Sequence, residues 1–92
     1  MTTDAQAAAA PLVLITRSYC HLCHDMDAVV RPLAAAFDVA LELLDVDSSE
    51  QLEVLYGERV PVLLHGDREL CHYFVDAEAL RAYLAGFAEQ GS

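Results

Sequence analysis

The chain has 92 residues, 55% of them apolar, and carries a formal charge of −10 with only five basic residues. That length suits one domain burying about 60–65% of its unfolded surface, and the apolar content excludes a disordered tail. So acidic a balance disfavours nucleic acid and anionic membranes, which need a cationic face; its plain meaning is solubility, and its sharper one, a basic protein partner, has no local support in the sequence.

In chain order, residues 1–10 read as a flexible arm closed by Pro11, and residues 11–92 as the folded domain. The arm has no positive charge ahead of its apolar run, so no signal peptide is expected. No apolar stretch reaches the ~18 residues of a membrane span. Leu12 to Ile15 is a continuous apolar run, the pattern of a strand buried on both faces. Thr16 to Tyr19 is turn-like. From Cys20 a helical period appears, with Met26, Val29, Val30, Leu33 and Phe37 on one stripe. Pro32 inside that stripe predicts a kink or an early end.

Val39 to Val46 reads as a second strand. Asp47 with Glu50, and Ser48 with Gln51, form two overlapping capping boxes for a short helix through Leu52 and Leu55, stopped by Gly57. Val60 to Leu64 is a third strand with Pro61 at its entrance. His65 to Arg68 is a turn, and Glu69 to Val75 a fourth strand paired with the third. Asp76 caps a last helix with Ala79, Leu80, Tyr83, Leu84 and Phe87 on its apolar face. The order βαβαββα predicts an α/β domain: a four-stranded mixed sheet with helices on both faces. Its first two strands should be parallel and its last two antiparallel.

The chemistry centres on Cys20-His21-Leu22-Cys23. An odd set of three cysteines (Cys20, Cys23, Cys71) argues against a secreted disulfide framework and for the reducing cytoplasm. The pair follows a buried strand and opens a helix, where partial positive charge and unpaired N–H groups stabilise a thiolate. Thiols so placed have pKa values lowered from about 8.5 into roughly 3.5–7.5. Cys20, at the cap, is the expected nucleophile, and the more buried Cys23 the expected resolving thiol of a dithiol–disulfide exchange.

Three other chemistries share the motif. A zinc half-site would need a second ligand pair at finger spacing, and none follows. Cys20 to His24 matches the covalent haem attachment pattern, but haem attachment needs export and a crevice. A copper-ferrying module places its cysteines in a two-helix fold, whereas three helical patterns are present here. No metal is therefore expected. The competing reading is a non-catalytic binding module or metal or cluster carrier on the same cysteines.

From Pro11 to Phe87 the pattern resembles the glutaredoxin branch of the thioredoxin-fold superfamily, in its divergent bacterial glutaredoxin-like form. The strand Leu12 to Ile15, the loop Thr16 to Tyr19 and the cysteine pair match the family's first strand and active-site loop. Arg17 stands where glutaredoxins carry a lysine. Val60-Pro61 matches the last two residues of the family's Thr-Val-Pro, with Arg59 replacing the threonine. The resemblance implies a thioredoxin-like fold, a cis Val60-Pro61 bond facing the cysteines, thiol–disulfide oxidoreductase activity and a role in cell redox homeostasis. It departs at His21-Leu22 between the cysteines, and at Cys71-His72, where glutaredoxins have two glycines that hold glutathione. Side chains there should obstruct close backbone approach, so weak glutathione-linked activity is expected.

The expected substrate-binding set is Arg17, Tyr19, His21, Leu22, Val60 and Pro61. Arg17 is read either as holding the thiolate or a substrate carboxylate, or as a solvated charge. Tyr19 would line the groove or merely cover the core, Leu22 belongs to the set as the second residue between the cysteines, and Val60 would offer its backbone to an extended substrate. His21, when protonated, would lower the pKa of Cys20, or else is only an exposed helix-start residue; His24 has the weaker case. Cys71 reads as a small buried hydrophobe. The expected partners are protein or small-molecule disulfides, with glutathione as a possible co-substrate, no tightly bound cofactor, and a monomeric state.

Overall fold

The computed structural model describes residues 10–90. Residues 1–9 of the expected arm lie outside them. Among the described residues run β1 (Leu12–Thr16), α1 (His21–Ala36), β2 (Leu41–Asp45), a 3-10 turn (Val46–Ser48), α2 (Glu50–Tyr56), β3 (Val62–His65), β4 (Arg68–His72) and α3 (Ala77–Gln90). The strands form one mixed sheet in the order β2-β1-β3-β4. β1 is parallel to β2 and antiparallel to β3, and β3 is antiparallel to β4. This is the predicted architecture.

The apolar run of β1 is explained by its central place. Leu12 and Leu14 point to one face, where Met26, Val30 and Ala34 of α1 and Leu80 and Leu84 of α3 close the main core. Ile15 points to the other, packing with Val46 and Val62 beneath Leu52 and Tyr56 of α2. Each fully buried side chain of this kind contributes about 1.5–3 kcal/mol of transfer free energy. α2 by contrast buries none of its residues fully.

Local boundaries differ from the sequence pattern for identifiable reasons. α1 runs through Pro32 to Ala36 without interruption. It ends instead on Asp38, whose left-handed φ of 58° lets its own N–H reach Ala35 O (3.2 Å) while Val39 N–H reaches Ala34 O (2.8 Å). This is a Schellman closure. Neither capping box forms: Asp45 caps the 3-10 turn, and Ser49 Oγ caps α2 by accepting from Gln51 and Leu52. The extra turn moves the helix start on by one residue.

Gly57 does stop α2, yet with an ordinary helical φ of −53°. The reason for glycine there is space, since an added Cβ would meet the Glu53 carboxylate and lie 2.5 Å from its carbonyl oxygen. Gly66 is the residue that uses positive φ (64°), in the tight β3–β4 turn. His65, read as a turn residue, ends β3 and is buried. Its Nε2–H donates to Ala10 O (3.1 Å), which leaves Nδ1 to accept from Tyr83 Oη (2.7 Å). β4 stops at His72 rather than Val75, because Tyr73 takes a φ of 65° and turns its N–H to Pro61 O (2.9 Å). Asp76 caps α3 as expected, its Oδ1 accepting from Glu78 and Ala79. The side chain of Phe87 lies outside the described part.

Candidate active site

The site forms where β1 hands the chain to α1. After Thr16 the loop turns through Tyr19, held in the left-handed region at φ 63° with its ring fully exposed. That turn brings Cys20 to the N-cap of α1 in extended conformation. Cys20 Sγ accepts from the Cys23 N–H (3.1 Å), taking the capping role of a serine or aspartate oxygen. Cys20 and Cys23 are joined as a disulfide, with Cα atoms 5.2 Å apart. Cys20 is half-buried at the surface, whereas Cys23, one turn in, is 5% exposed. Cys20 is thus the more accessible sulfur of the pair.

The first turn of α1 contains no acidic residue. The positive end of the helix is therefore not offset by a local carboxylate, and it falls on Cys20 Sγ. Arg17 is engaged within the chain. Its guanidinium is bound to Glu53 of α2, with Asp47 at 3.4 Å, and that pairing with Glu53 holds its pKa above the ordinary value. The cation nearest the cysteines in the chain is thus already engaged by two carboxylates.

An open groove of about 540 Å³ holds the exposed side of the disulfide. Arg17, Tyr19, Cys20, His21 and Cys23 line it together, joined by His24, Asp27 and Leu43. Leu22 points elsewhere, into a small hollow of about 110 Å³ shared with Asp25, Tyr73 and Phe74. Val60 and Pro61 do not line the groove. The Val60-Pro61 bond is cis. Because Ile15 pairs with Val62 in antiparallel register, Pro61 sits at the end of the sheet from which the chain leads to Cys20.

Several contributors escaped the sequence reading. Glu53 lies 36 positions from Arg17 and carries no local signal. Leu43 reads in the sequence only as part of a strand, but β2 is an edge strand and leaves it half-exposed in the groove. Tyr73 and Phe74 fall within the expected fourth strand, yet both are exposed, Phe74 by 70%. The left-handed turn at Tyr73 ejects them. Tyr73 Oη then donates to Glu58 O (2.7 Å), laying the ring along the segment before Pro61. Cys71 packs against the main core, and burial pushes its thiol pKa up, with Glu69 adding to the effect. His72, its neighbour at the expected double-glycine position, is exposed and bonded to Glu69 (3.0 Å). Among the described residues no cluster of three or more candidate ligands is placed to hold a metal, and no helix is long and apolar enough to cross a membrane.

A mixed sheet with a CxxC disulfide capping its first helix and a cis-proline at the same sheet end defines a thioredoxin-fold protein. The chain belongs to the glutaredoxin-like domain family (DUF836), whose model matches residues 11–85. It is similar to protein Ne2328 from Nitrosomonas europaea, at 44% identity over 83% of this chain and 92% of that one, with a TM-score of 0.69. Protein XcR50 from X. campestris is 41% identical over 82% of this chain and 96% of its own, with a TM-score of 0.60. Chloroplastic thioredoxin z shares the fold at 17% identity, covering 96% of this chain and 86% of its own, with a TM-score of 0.68. Among curated proteins nothing matches.

Proposed function

We propose that the protein is a dithiol–disulfide oxidoreductase working through Cys20 and Cys23. The observation that supports this most is the capping geometry: an accessible sulfur at the positive end of a helix, within bonding reach of a buried second sulfur. In the reduced protein the Cys20 thiolate attacks one sulfur of a substrate disulfide. One substrate thiolate leaves, and a mixed disulfide forms. The Cys23 thiolate then attacks Cys20 Sγ, closing the protein disulfide and releasing the second substrate thiolate. The substrate gains two electrons and the protein dithiol loses them; a thiol reductant restores the dithiol. In this reading Tyr19 and His21 border the attacking sulfur, Leu22 supports the far side, and the backbone of Val60 beside Pro61 aligns an extended chain.

Alkylation of the reduced protein by iodoacetamide across pH tests this. Cys20 is expected to react with a titration midpoint below the ordinary thiol value of about 8.5, and Cys20→Ser is expected to abolish reduction of disulfides. A midpoint at that ordinary value, together with undiminished reduction by Cys20→Ser, would contradict it.

A further inference from the structure

Resting on the exchange reading above, we infer that the substrate is a polypeptide disulfide flanked by basic residues, and that glutathione disulfide is a poor one. The argument begins with the cations. Of the five arginines, Arg17, Arg31, Arg59 and Arg81 are each bound to carboxylates of the same chain. The fifth, Arg68, stacks over Tyr83, away from the groove. The groove beside Cys20 therefore presents Arg17 already engaged by Glu53 and Asp47, and Asp27 engaged by Arg31. Asp25 stands in the neighbouring hollow outside any ion pair among the described residues. Counted with these partners, the surroundings of the dithiol are net negative. Glutathione brings carboxylates to such a surface and would have to displace Glu53 or Asp47 from Arg17. A basic chain meets the opposite situation.

The apolar features argue for a polypeptide rather than a small cation. They extend on both sides of the first turn of α1: Tyr19 and Leu43 on one, Leu22, Tyr73 and Phe74 on the other. Exposed aromatic faces next to carboxylates suit arginine and lysine side chains, through cation–π contact and stem burial together. Closely spaced charges of one sign also raise association rates with an oppositely charged partner, by about 10- to 1000-fold at low salt.

Single-turnover reduction by the pre-reduced protein tests this with four disulfides. Two are peptides of equal length, one with arginines and one with glutamates flanking the cystine; the third is cystamine, a small cationic disulfide, and the fourth is glutathione disulfide. At low ionic strength the arginine peptide is expected to react about 10-fold or more faster than the glutamate peptide. The ratio should fall toward unity near 1 M salt, where the screening length is about 3 Å. Cystamine and glutathione disulfide should both be slower than the arginine peptide. Asp47→Asn with Glu53→Gln should narrow the peptide ratio several-fold by unpairing Arg17. Equal peptide rates, a faster glutamate peptide, or a ratio indifferent to salt overturns the basic-substrate inference and leaves the exchange chemistry standing. Cystamine outpacing the arginine peptide overturns its polypeptide part. Failure to reduce any of the disulfides overturns the exchange reading itself.

Discussion

At the scale of single residues, the segment that carries Val60-Pro61 is held by side chains whose charges meet across the hairpin. Arg59 binds Glu69 (2.5 Å) and the Leu55 carbonyl (2.8 Å), and it stacks on Tyr56. Glu69 takes a second bond from His72. Partial burial pushes the Glu69 carboxyl up, but the hydrogen bonds from Arg59 and His72 outweigh it and leave the pKa below the ordinary carboxylate value. A carboxyl whose folded pKa lies below its unfolded value of about 4.3 contributes its full stabilisation above that value. It loses the contribution as pH falls through the folded pKa. Glu69→Gln is therefore expected to cost up to about 1 kcal/mol at neutral pH and to flatten the acid limb of stability below pH ~4. Urea unfolding across pH measures both, and an unchanged acid limb would remove Glu69 from this role.

At the scale of elements, the period of the sequence and the geometry of the fold agree where the information is local. The strand Leu12 to Ile15, the stripe of Met26 and Val30, and the cap position of Cys20 all depend on neighbours within a turn or two. The cysteine pair was legible for that reason. The ends of elements were less so. Pro32 lacks one N–H, yet the packing of Met26, Val30 and Ala34 holds α1 together past it. The partners of Arg17 come from α2 and the turn before it, and only the sheet brings them near. Tyr73 and Phe74 look like strand residues until the backbone turns at Tyr73.

Gly57 illustrates the same division. Its place after a short helix reads as a conformational stop, whereas the structure gives it a helical φ and a shortage of room beside Glu53. Gly57→Ala should thus destabilise by about 1–3 kcal/mol, the range for overpacking, and disturb the Glu53–Arg17 pair. A neutral or stabilising result in thermal unfolding, as helix propensity alone would give, would contradict the steric account.

For the whole molecule, the thioredoxin-type architecture and the acidic surface act on the same point. The sheet sets β1 between β2 and β3, so one end of it carries both the turn into Cys20 and the cis Val60-Pro61 bond. The helix stacked on that sheet directs its positive end at Cys20, while the carboxylates around it make the wider surface anionic. The proposed stabilisation of a thiolate by its own helix and the proposed selection of a partner by the surrounding charge are separate effects, and salt, which screens the second far more than the first, separates them.

The central claim is that the cysteine pair is a working redox couple rather than a staple. Its most direct test is the reduction potential of Cys20–Cys23, read by equilibrium with glutathione and thioredoxin buffers under anaerobic conditions. The account predicts a reversible two-electron couple within the span of thioredoxin-fold dithiols, about −270 to −120 mV, that is lost in Cys20→Ser and unmoved by Cys71→Ala. A potential below about −300 mV, as structural disulfides show, or no reversible couple at all, would contradict it.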